Sequence, residues 1–244
     1  MKRFWMRALL CFALSAALLT GCSLSPSSQP AESPTDPLTG QELVWPGQRP
    51  VAITIDNAAA NTTQWGLSTA SLVLEALTAQ QQATRLCLVY PAVGAVPQVG
   101  PVSAGQDLYW RLLVGQQVLP VQRGGGQFDQ NYLDYYSLRA VDALEVGTNA
   151  FSCETNWQNV PLWHTSGAAL SGVLGSLNIS PALTESRVTD TSSSSSDSES
   201  GTLLSVPNLL PMQENGKLPD ADASDAMSVR VQFDAQNATG FSYD

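Results

Sequence analysis

An apolar run near the start of the chain limits which residues can belong to a folded domain. Residues 8–19 are almost entirely apolar, follow three basic residues, and end in Leu19-Thr20-Gly21-Cys22. The run is shorter than the roughly 20 residues that cross a bilayer, and it has the length of a secretory signal core. A branched apolar residue, two small residues and a cysteine are typical of a bacterial lipobox. We therefore expect residues 1–21 to be a signal peptide and Cys22 to carry a lipid.

The lipid would place the mature chain on the extracytoplasmic face of the cell membrane, with the membrane as its first partner. An ordinary signal peptide with a cysteine nearby is the alternative. Removing residues 1–21 takes away three basic residues and no acidic one, which leaves 8 basic and 21 acidic residues and a net charge of −13. Such a surface repels phosphate backbones and anionic head groups, so nucleic-acid binding is disfavoured and the lipid must hold the chain at the membrane.

Composition divides the mature chain into four parts. Residues 22–36 are rich in serine and proline and predict a flexible tether, and residues 37–184 have globular composition. Residues 185–201 include five consecutive serines and predict a disordered insert. Residues 202–244 return to an apolar alternation that predicts a strand with Met227, Val229, Val231 and Phe233 on one face. Because this strand pattern runs close to the last residue, we expect the chain to be incomplete.

Strands and helices alternate along the globular part. Residues 50–56 and 84–90 predict strands, and residues 119–122 predict a short one. The spacing of apolar residues over 68–79 predicts a helix with Ser68 as N-cap, and residues 165–177 predict another. The expected class is α/β, with α+β as the alternative.

Several short motifs in this part occur in the order seen in a known family. They are Pro37-Leu38-Thr39-Gly40, Arg49-Pro50-Val51-Ala52-Ile53-Thr54-Ile55-Asp56-Asn57, Gly66-Leu67-Ser68, Glu75-Ala76-Leu77, Thr84-Arg85 and Gly100-Pro101-Val102. In this the chain resembles the YerB-like lipoprotein family (DUF3048), a group of largely uncharacterised Gram-positive envelope proteins. The resemblance implies a layered sandwich of sheets and helices, followed by a smaller, mostly β segment.

The chain departs from the family pattern at three places. The family's usual Arg-Ser-Ala-Arg is Ser103-Ala104-Gly105-Gln106 here, and Gln122-Arg123 precedes the Gly-rich turn where the family tends to have a histidine. The family's later Pro-His-Asn-Leu-Tyr-Thr-Ser is matched only loosely, with the histidine shifted to His164. The resemblance therefore implies a lost or altered activity, if the family's pocket depends on those cations and imidazoles.

Four residues are candidates for binding: Asp56, Asn57, Arg85 and His164. Asp56 and Asn57 end a predicted strand, where a carboxylate serves either as a ligand group or in a turn. We expect Glu75, on the predicted helix, to form a structural ion pair with Arg85. His164 is the single histidine, so any Ser/His/Asp mechanism would need it.

The two cysteines of the mature chain have two possible roles. In the mature chain Cys87 and Cys153 either form a disulfide or serve as small buried apolar residues, and the apolar run around Cys87 favours burial.

The sequence contains no cluster of metal-ligand residues, and we expect no metal and no cofactor. The Gly124–Gly126 turn lacks the Lys-Ser/Thr of a phosphate loop. Packing is favoured over a carbohydrate platform for four tryptophans: Trp65, Trp110, Trp157 and Trp163.

Two functions from different classes follow. The first is a non-catalytic envelope module that binds a cell-wall glycan or an envelope protein. The alternative is a cell-envelope hydrolase or transferase that uses Asp56 with Glu75 or His164, since two groups of different pKa can divide acid and base work. We favour the first, with no catalytic residue assigned, because no recognisable catalytic constellation is present.

Overall fold

The fold is described from a computed structural model that covers residues 35–58, 63–78, 83–184, 208–210 and 227–242. The signal peptide, Cys22, most of the tether and the serine-rich insert lie outside these ranges. The predictions that rest on them therefore stay predictions.

Five strands form the central sheet. They are β1 (Val51–Asp56), β2 (Leu72–Leu77), β3 (Thr84–Tyr90), β4 (Leu119–Gln122) and β5 (Val141–Asp142). Their order across the sheet is β2-β3-β1-β4-β5. β1, β4 and β5 run parallel, and β3 is antiparallel to β1 and β2. Residues 51–55 are all buried, as expected for a central strand that is covered on both faces.

Helices cover both faces of this sheet. The α-helices are α1 (Asp107–Leu113), α2 (Gln127–Tyr135), α3 (Ala143–Val146) and α4 (Gly167–Leu174). Short 3-10 helices occupy Leu67–Thr69, Val93–Ala95, Val114–Gln116 and Gly147–Asn149.

Side chains alternate between two cores along β1. Ile53 and Ile55 share a core with Leu170 of α4. Ala52 lies in a second core with Trp110 of α1 and Leu133 of α2. This three-layer arrangement confirms the expected α/β sandwich.

Two hairpins complete the described fold. β6 (Ser152–Thr155) pairs with β7 (Pro161–His164), and β8 (Ser228–Gln232) pairs with β9 (Ala238–Ser242). β8 is the strand expected from the alternation near the chain's end. No helix in the part of the chain that the structure describes is long and apolar enough to cross a membrane.

The predicted helix over 68–79 is wrong. A single 3-10 turn, Leu67–Thr69, is followed by strand β2. The register pairs Val73 with Leu88 and Leu74 with Cys87, so neighbouring residues of β2 face opposite cores. Apolar residues are therefore needed at consecutive positions, and such a short run fits a helix as well as a strand.

The disulfide between Cys87 and Cys153 is not formed. Both are free: Cys87 is buried in β3, and Cys153 is exposed on β6. Burial raises the pKa of the Cys87 thiol, which disfavours its reactive thiolate. Cys87 thus has the alternative role of a buried apolar residue.

Candidate functional site at the carboxyl edge of the sheet

Parallel strands β1, β4 and β5 end at the same edge of the sheet, which we call the carboxyl edge. The segment Gly100–Ser103, which contains a cis Gly100-Pro101 peptide bond, crosses this edge. The Asp56 amide donates to the Pro101 carbonyl at 2.9 Å, and the Arg123 amide donates to the Ser103 carbonyl at 2.8 Å. Open α/β sheets bind ligands outside the carboxyl ends of their strands, so this edge is the first place to look for a site.

Asp56 has one of the two roles that the sequence left open, that of a turn residue. Its Oδ1 accepts a hydrogen bond from the Ala58 amide at 3.1 Å, which is the turn geometry expected of an aspartate. Asp56 is also the register partner of Arg85, so both side chains leave the same face of the sheet. The structure thus brings together two of the four predicted binding residues.

Asn57 ties the end of β1 to its neighbours. Its Nδ2 donates to Glu75 Oε1 at 3.1 Å and to Thr84 Oγ1 at 2.6 Å, and its Oδ1 accepts from Gln64 Nε2 at 2.7 Å. These contacts use the whole amide, so Asn57 has a structural role. The Glu75 carboxylate also accepts from Thr239 Oγ1 of β9 at 2.5 Å, which joins the β8–β9 hairpin to the sheet.

The predicted ion pair between Glu75 and Arg85 is wrong. Glu75 pairs with Leu86 and Ala76 pairs with Arg85, so the two charged side chains leave opposite faces of the sheet. The Arg85 Nε is buried and has no hydrogen-bond partner among the described residues. The predicted pair placed Glu75 on a helix, whereas the strand register fixes its side chain on the face opposite to that of Arg85.

His164 belongs to a mixed aromatic and polar cluster at the end of β7. Its ring meets the Trp65 indole edge-on, with ring centroids 5.4 Å apart, and its Nδ1 lies 3.4 Å from Gln98 Nε2. Its Nε2 lies 3.4 Å from Glu154 Oε1, close enough for an ion pair when the imidazole is protonated. The geometry of that contact is not a hydrogen bond, and Nε2 has no other partner among the described residues. We call Trp65, Gln98, Glu154 and His164 the His164 cluster.

Gly100 allows the residues of the His164 cluster to pack closely against its backbone. A Cβ at this position would lie 2.7 Å from the Trp163 carbonyl oxygen, 3.0 Å from His164 Cβ and 3.1 Å from Trp65 Cε3. Because the nearest of these atoms belongs to the backbone, a larger residue would force the strands apart. Gly100 is therefore the residue that sets the spacing of this cluster.

Arg123 and Trp163 form a second contact nearby. The Arg123 guanidinium carbon lies 5.2 Å from the centroid of the Trp163 ring, a cation–π distance. Arg123 Nε and Trp163 Nε1 are both buried without a hydrogen-bond partner in the described structure. Trp163 and His164 are successive residues of a strand, so their side chains lie on opposite sides of β7.

Sequence reasoning missed a buried carboxylate behind the Gly-rich turn. Asp129 is only 2 % exposed, and it accepts from Trp110 Nε1 at 2.5 Å and from Gln122 Nε2 at 3.0 Å. Burial raises the pKa of Asp129, while these two hydrogen bonds oppose the shift. A Cβ at Gly125 would lie 1.9 Å from Asp129 Oδ2, so this glycine makes room for the carboxylate. The turn therefore makes room for a buried carboxyl group.

The strand register separates Asp56 from Glu75, one of its two proposed catalytic partners. The register places Asp56 and Glu75 on opposite faces of the sheet, while the contacts of His164 are with Trp65, Gln98 and Glu154. Over the ranges that the structure describes, no three His, Cys, Asp or Glu side chains are grouped to hold a metal ion. The arrangement at this edge is one of donors, acceptors and aromatic rings, which suits binding.

Comparison with known proteins agrees with the resemblance noted in the sequence. Residues 38–175 match the family described as "Protein of unknown function (DUF3048) N-terminal domain". The fold is similar to the crystal structure of YerB protein from Bacillus subtilis, with a TM-score of 0.53 and 23% identity over 62% of this chain. The match spans about half, 52%, of the Bacillus chain. No curated protein sequence matches this chain.

Proposed function

Because this chain belongs to the DUF3048 family of proteins of unknown function, we propose its role from its own residues. It is a membrane-anchored extracytoplasmic lipoprotein whose folded domain binds an envelope component, a cell-wall glycan or an envelope protein, without catalysing a reaction on it.

The anchor part of the proposal rests on the sequence around Cys22. The small residues Thr20 and Gly21 precede the thiol that would be acylated, and residues 23–34 lead from it to the described fold. Twelve residues reach at most about 40 Å when fully extended. The domain would therefore work close to the membrane, within reach of the inner wall and of membrane proteins.

The binding part rests on one observation, the grouping of Trp65, Gln98, Glu154 and His164 at the carboxyl edge, in which His164 Nε2 makes no hydrogen bond to the described residues. The neighbouring Trp65 ring offers an apolar face, and Gln98 and Glu154 offer polar groups around it. Rings combined with a few polar groups suit a sugar or a peptide segment. The acidic surface argues against an anionic polymer.

Binding is tested with the mature chain carrying Cys22→Ala, which cannot be lipidated. Envelope extract and solubilised wall glycan are each offered to this protein and to its Trp65→Ala and His164→Ala forms. We expect one of the two ligands to bind, and both additional substitutions to weaken that binding. Trp157→Ala is the control, because Trp157 is 80 % exposed in the turn between β6 and β7 and lies outside the His164 cluster.

Failure to bind either ligand, or equal loss with Trp157→Ala, would refute the proposed site. Turnover of the glycan by the parent protein but not by its His164→Gln form would establish the catalytic alternative. The anchor is tested separately by mass spectrometry of the mature protein from cells. A diacylglycerol mass on Cys22 that is absent from Cys22→Ala is expected, and an unmodified Cys22 would refute the anchor.

A further inference from the structure

Helices α1 and α2 expose large apolar side chains on their outer side. Four aromatic residues of α2 and its C-cap share one side of the helix: Phe128, Tyr132, Tyr135 and Tyr136. Leu108 and Leu112 lie one turn apart on α1. We call the exposed members of this set the α1–α2 face: Leu108, Leu112, Phe128, Tyr135 and Tyr136. Their exposure ranges from 42 % at Tyr136 to 80 % at Tyr135.

Side-chain contacts join the two helices across this face. The Tyr136 ring centroid lies 4.6 Å from that of Tyr132 and 4.9 Å from that of Tyr135. The Arg111 guanidinium carbon of α1 lies 5.1 Å from the Tyr132 centroid of α2. Connected apolar surface of this kind marks an interaction site more often than scattered single residues do.

The position of the tether indicates what covers the face. Residues 23–34 separate Cys22 from the described fold, which the chain enters at Thr35. Three residues later Leu38 is buried in the core that it shares with α1 and α2. Because three residues span at most about 11 Å, the tether meets the fold on the side of the sheet that carries these helices. We propose that the α1–α2 face rests on the lipid surface in which Cys22 is anchored. The proposal rests on the anchor proposed above.

Charge favours this face over the rest of the surface. The charged side chains of α1 and α2 outside the core are Asp107, Arg111 and Asp134, one basic and two acidic. Asp107 and Arg111 form an ion pair at 2.9 Å. Since the whole mature chain carries −13, repulsion from anionic head groups is weaker at this face than elsewhere.

The residue types suit the boundary between head groups and acyl chains. A tyrosine places its ring among apolar groups and keeps its hydroxyl in water, and Arg111 can do the same with its stem and guanidinium. The contacts need not be strong, because a short tether keeps the face at a high local concentration of lipid. The lipid on Cys22 holds the domain, and the face orients it.

This orientation would leave the proposed binding site free. Trp163 of β7 packs against the core that contains Leu170 of α4, on the side of the sheet opposite to α1 and α2. The His164 cluster would therefore face away from the membrane.

The test couples the mature chain to lipid chemically. Cys153→Ser removes the exposed thiol and Cys87 is buried, so Cys22 alone reacts with a maleimide phospholipid in phosphatidylcholine vesicles. Hydroxyl-radical footprinting read by mass spectrometry compares this protein with the free chain capped by N-ethylmaleimide. We expect a severalfold loss of oxidation at Tyr135 and Tyr136 on the vesicle.

Trp157 is the matched control, because it is also 80 % exposed and lies in the turn between β6 and β7. Its oxidation should not change. Combining Phe128→Ser with Tyr135→Ser removes two rings from the face and should weaken docking about tenfold, read as renewed oxidation of Leu112. Trp157→Ser should leave the protection of Leu112 intact, and circular dichroism should show both variants folded.

Equal loss of oxidation at Trp157 and Tyr135, or no loss at the α1–α2 face, would overturn the proposal. Protection by lipid should persist when the coupled protein is diluted among excess lipid. Protection that disappears on dilution would come from a second copy of the chain and would also overturn it. Because coupling replaces acylation, failure to dock leaves the anchor intact, whereas an unmodified Cys22 from cells would refute the anchor and the proposal with it.

Discussion

Replacing Asp129 by alanine removes the acceptor of two buried hydrogen bonds. The donors, Trp110 Nε1 and Gln122 Nε2, belong to side chains that are 0 % exposed, and Gln122 Nε2 also donates to Asp142 Oδ2 at 3.3 Å. A buried donor left unpaired costs about 1–3 kcal/mol. Trp110 Nε1 loses its acceptor, whereas Gln122 Nε2 keeps its bond to Asp142, so the free energy of unfolding should fall by about 1–4 kcal/mol. That is a large fraction of the stability of a typical domain.

Asparagine at position 129 is the matched control. It keeps the shape of Asp129 and an oxygen for Trp110, while its Nδ2 would face the Gln122 amide. Gln122 Oε1 has no partner in the described structure, so rotating this amide can turn its oxygen toward Asn Nδ2. We expect Asp129→Asn to cost about 1 kcal/mol, clearly less than Asp129→Ala.

The pH dependence gives a second readout. Since burial raises the pKa of Asp129, the native state holds its proton at pH values where the unfolded chain, with a pKa of about 3.9, has released it. The stability contributed by this proton is fully present below the unfolded pKa and is lost as pH rises through the folded pKa. Asp129→Asn cannot show this loss.

Urea unfolding of the mature Cys22→Ala chain at a series of pH values measures both effects. The difference in unfolding free energy between the parent and its Asp129→Asn form should change with pH on the acid side and become constant above the folded pKa. Parallel pH profiles for the two proteins would refute the raised pKa. An Asp129→Ala form as stable as Asp129→Asn would refute the role of the two donors.

Three further expectations follow from the geometry. Gly100→Ala should lower the free energy of unfolding by about 1–3 kcal/mol, because its Cβ would lie 2.7 Å from a backbone oxygen. In the control, Gly115→Ala, the added Cβ has nothing within 4 Å and should cost less than about 0.5 kcal/mol. Equal urea midpoints for the two variants would contradict this expectation. In the folded Cys22→Ala chain a thiol reagent should label Cys153 but not Cys87, as tested by peptide mapping, and rapid labelling of both would disprove the burial. Glu75→Ala should speed amide exchange in the β8–β9 hairpin, since it removes a hydrogen bond that holds the hairpin to the sheet; unchanged exchange would show that the bond is dispensable.

The central strands were predictable because their environment is simple. β1 and β3 are buried on both faces over most of their length, and this produces the largely apolar runs over 51–55 and 86–90. β2 was not predictable in the same way. It is an edge strand of six half-buried residues whose apolar positions fit two periodicities, and only its pairing with β3 decides between them.

The candidate site was predictable to the extent that it depends on single strands. Asp56 and Asn57 do lie at the carboxyl edge, because that follows from the parallel order of β1 and β4. The partner of Glu75 depends on which face of β2 it occupies, so the error in β2 produced the wrong ion pair. Asp129 gave no signal at all. An aspartate in the first turn of a helix usually faces solvent and favours the helix dipole, and its burial here depends on glycines elsewhere in the chain.

Two departures from the family pattern meet in one contact. Gly105 stands where the family's usual Arg-Ser-Ala-Arg has alanine, and a Cβ there would lie 1.9 Å from Gln122 Oε1. Gln122 and Arg123 stand where the family tends to have a histidine. The position of the Gln122 side chain therefore requires a glycine at position 105. Gln122 in turn donates to Asp129, so the changed positions form a neutral amide bound to an internal carboxylate. Because Gln122 and Asp129 are buried and hydrogen-bonded to each other, we expect ligand contacts at the carboxyl edge to come from Trp65 and His164.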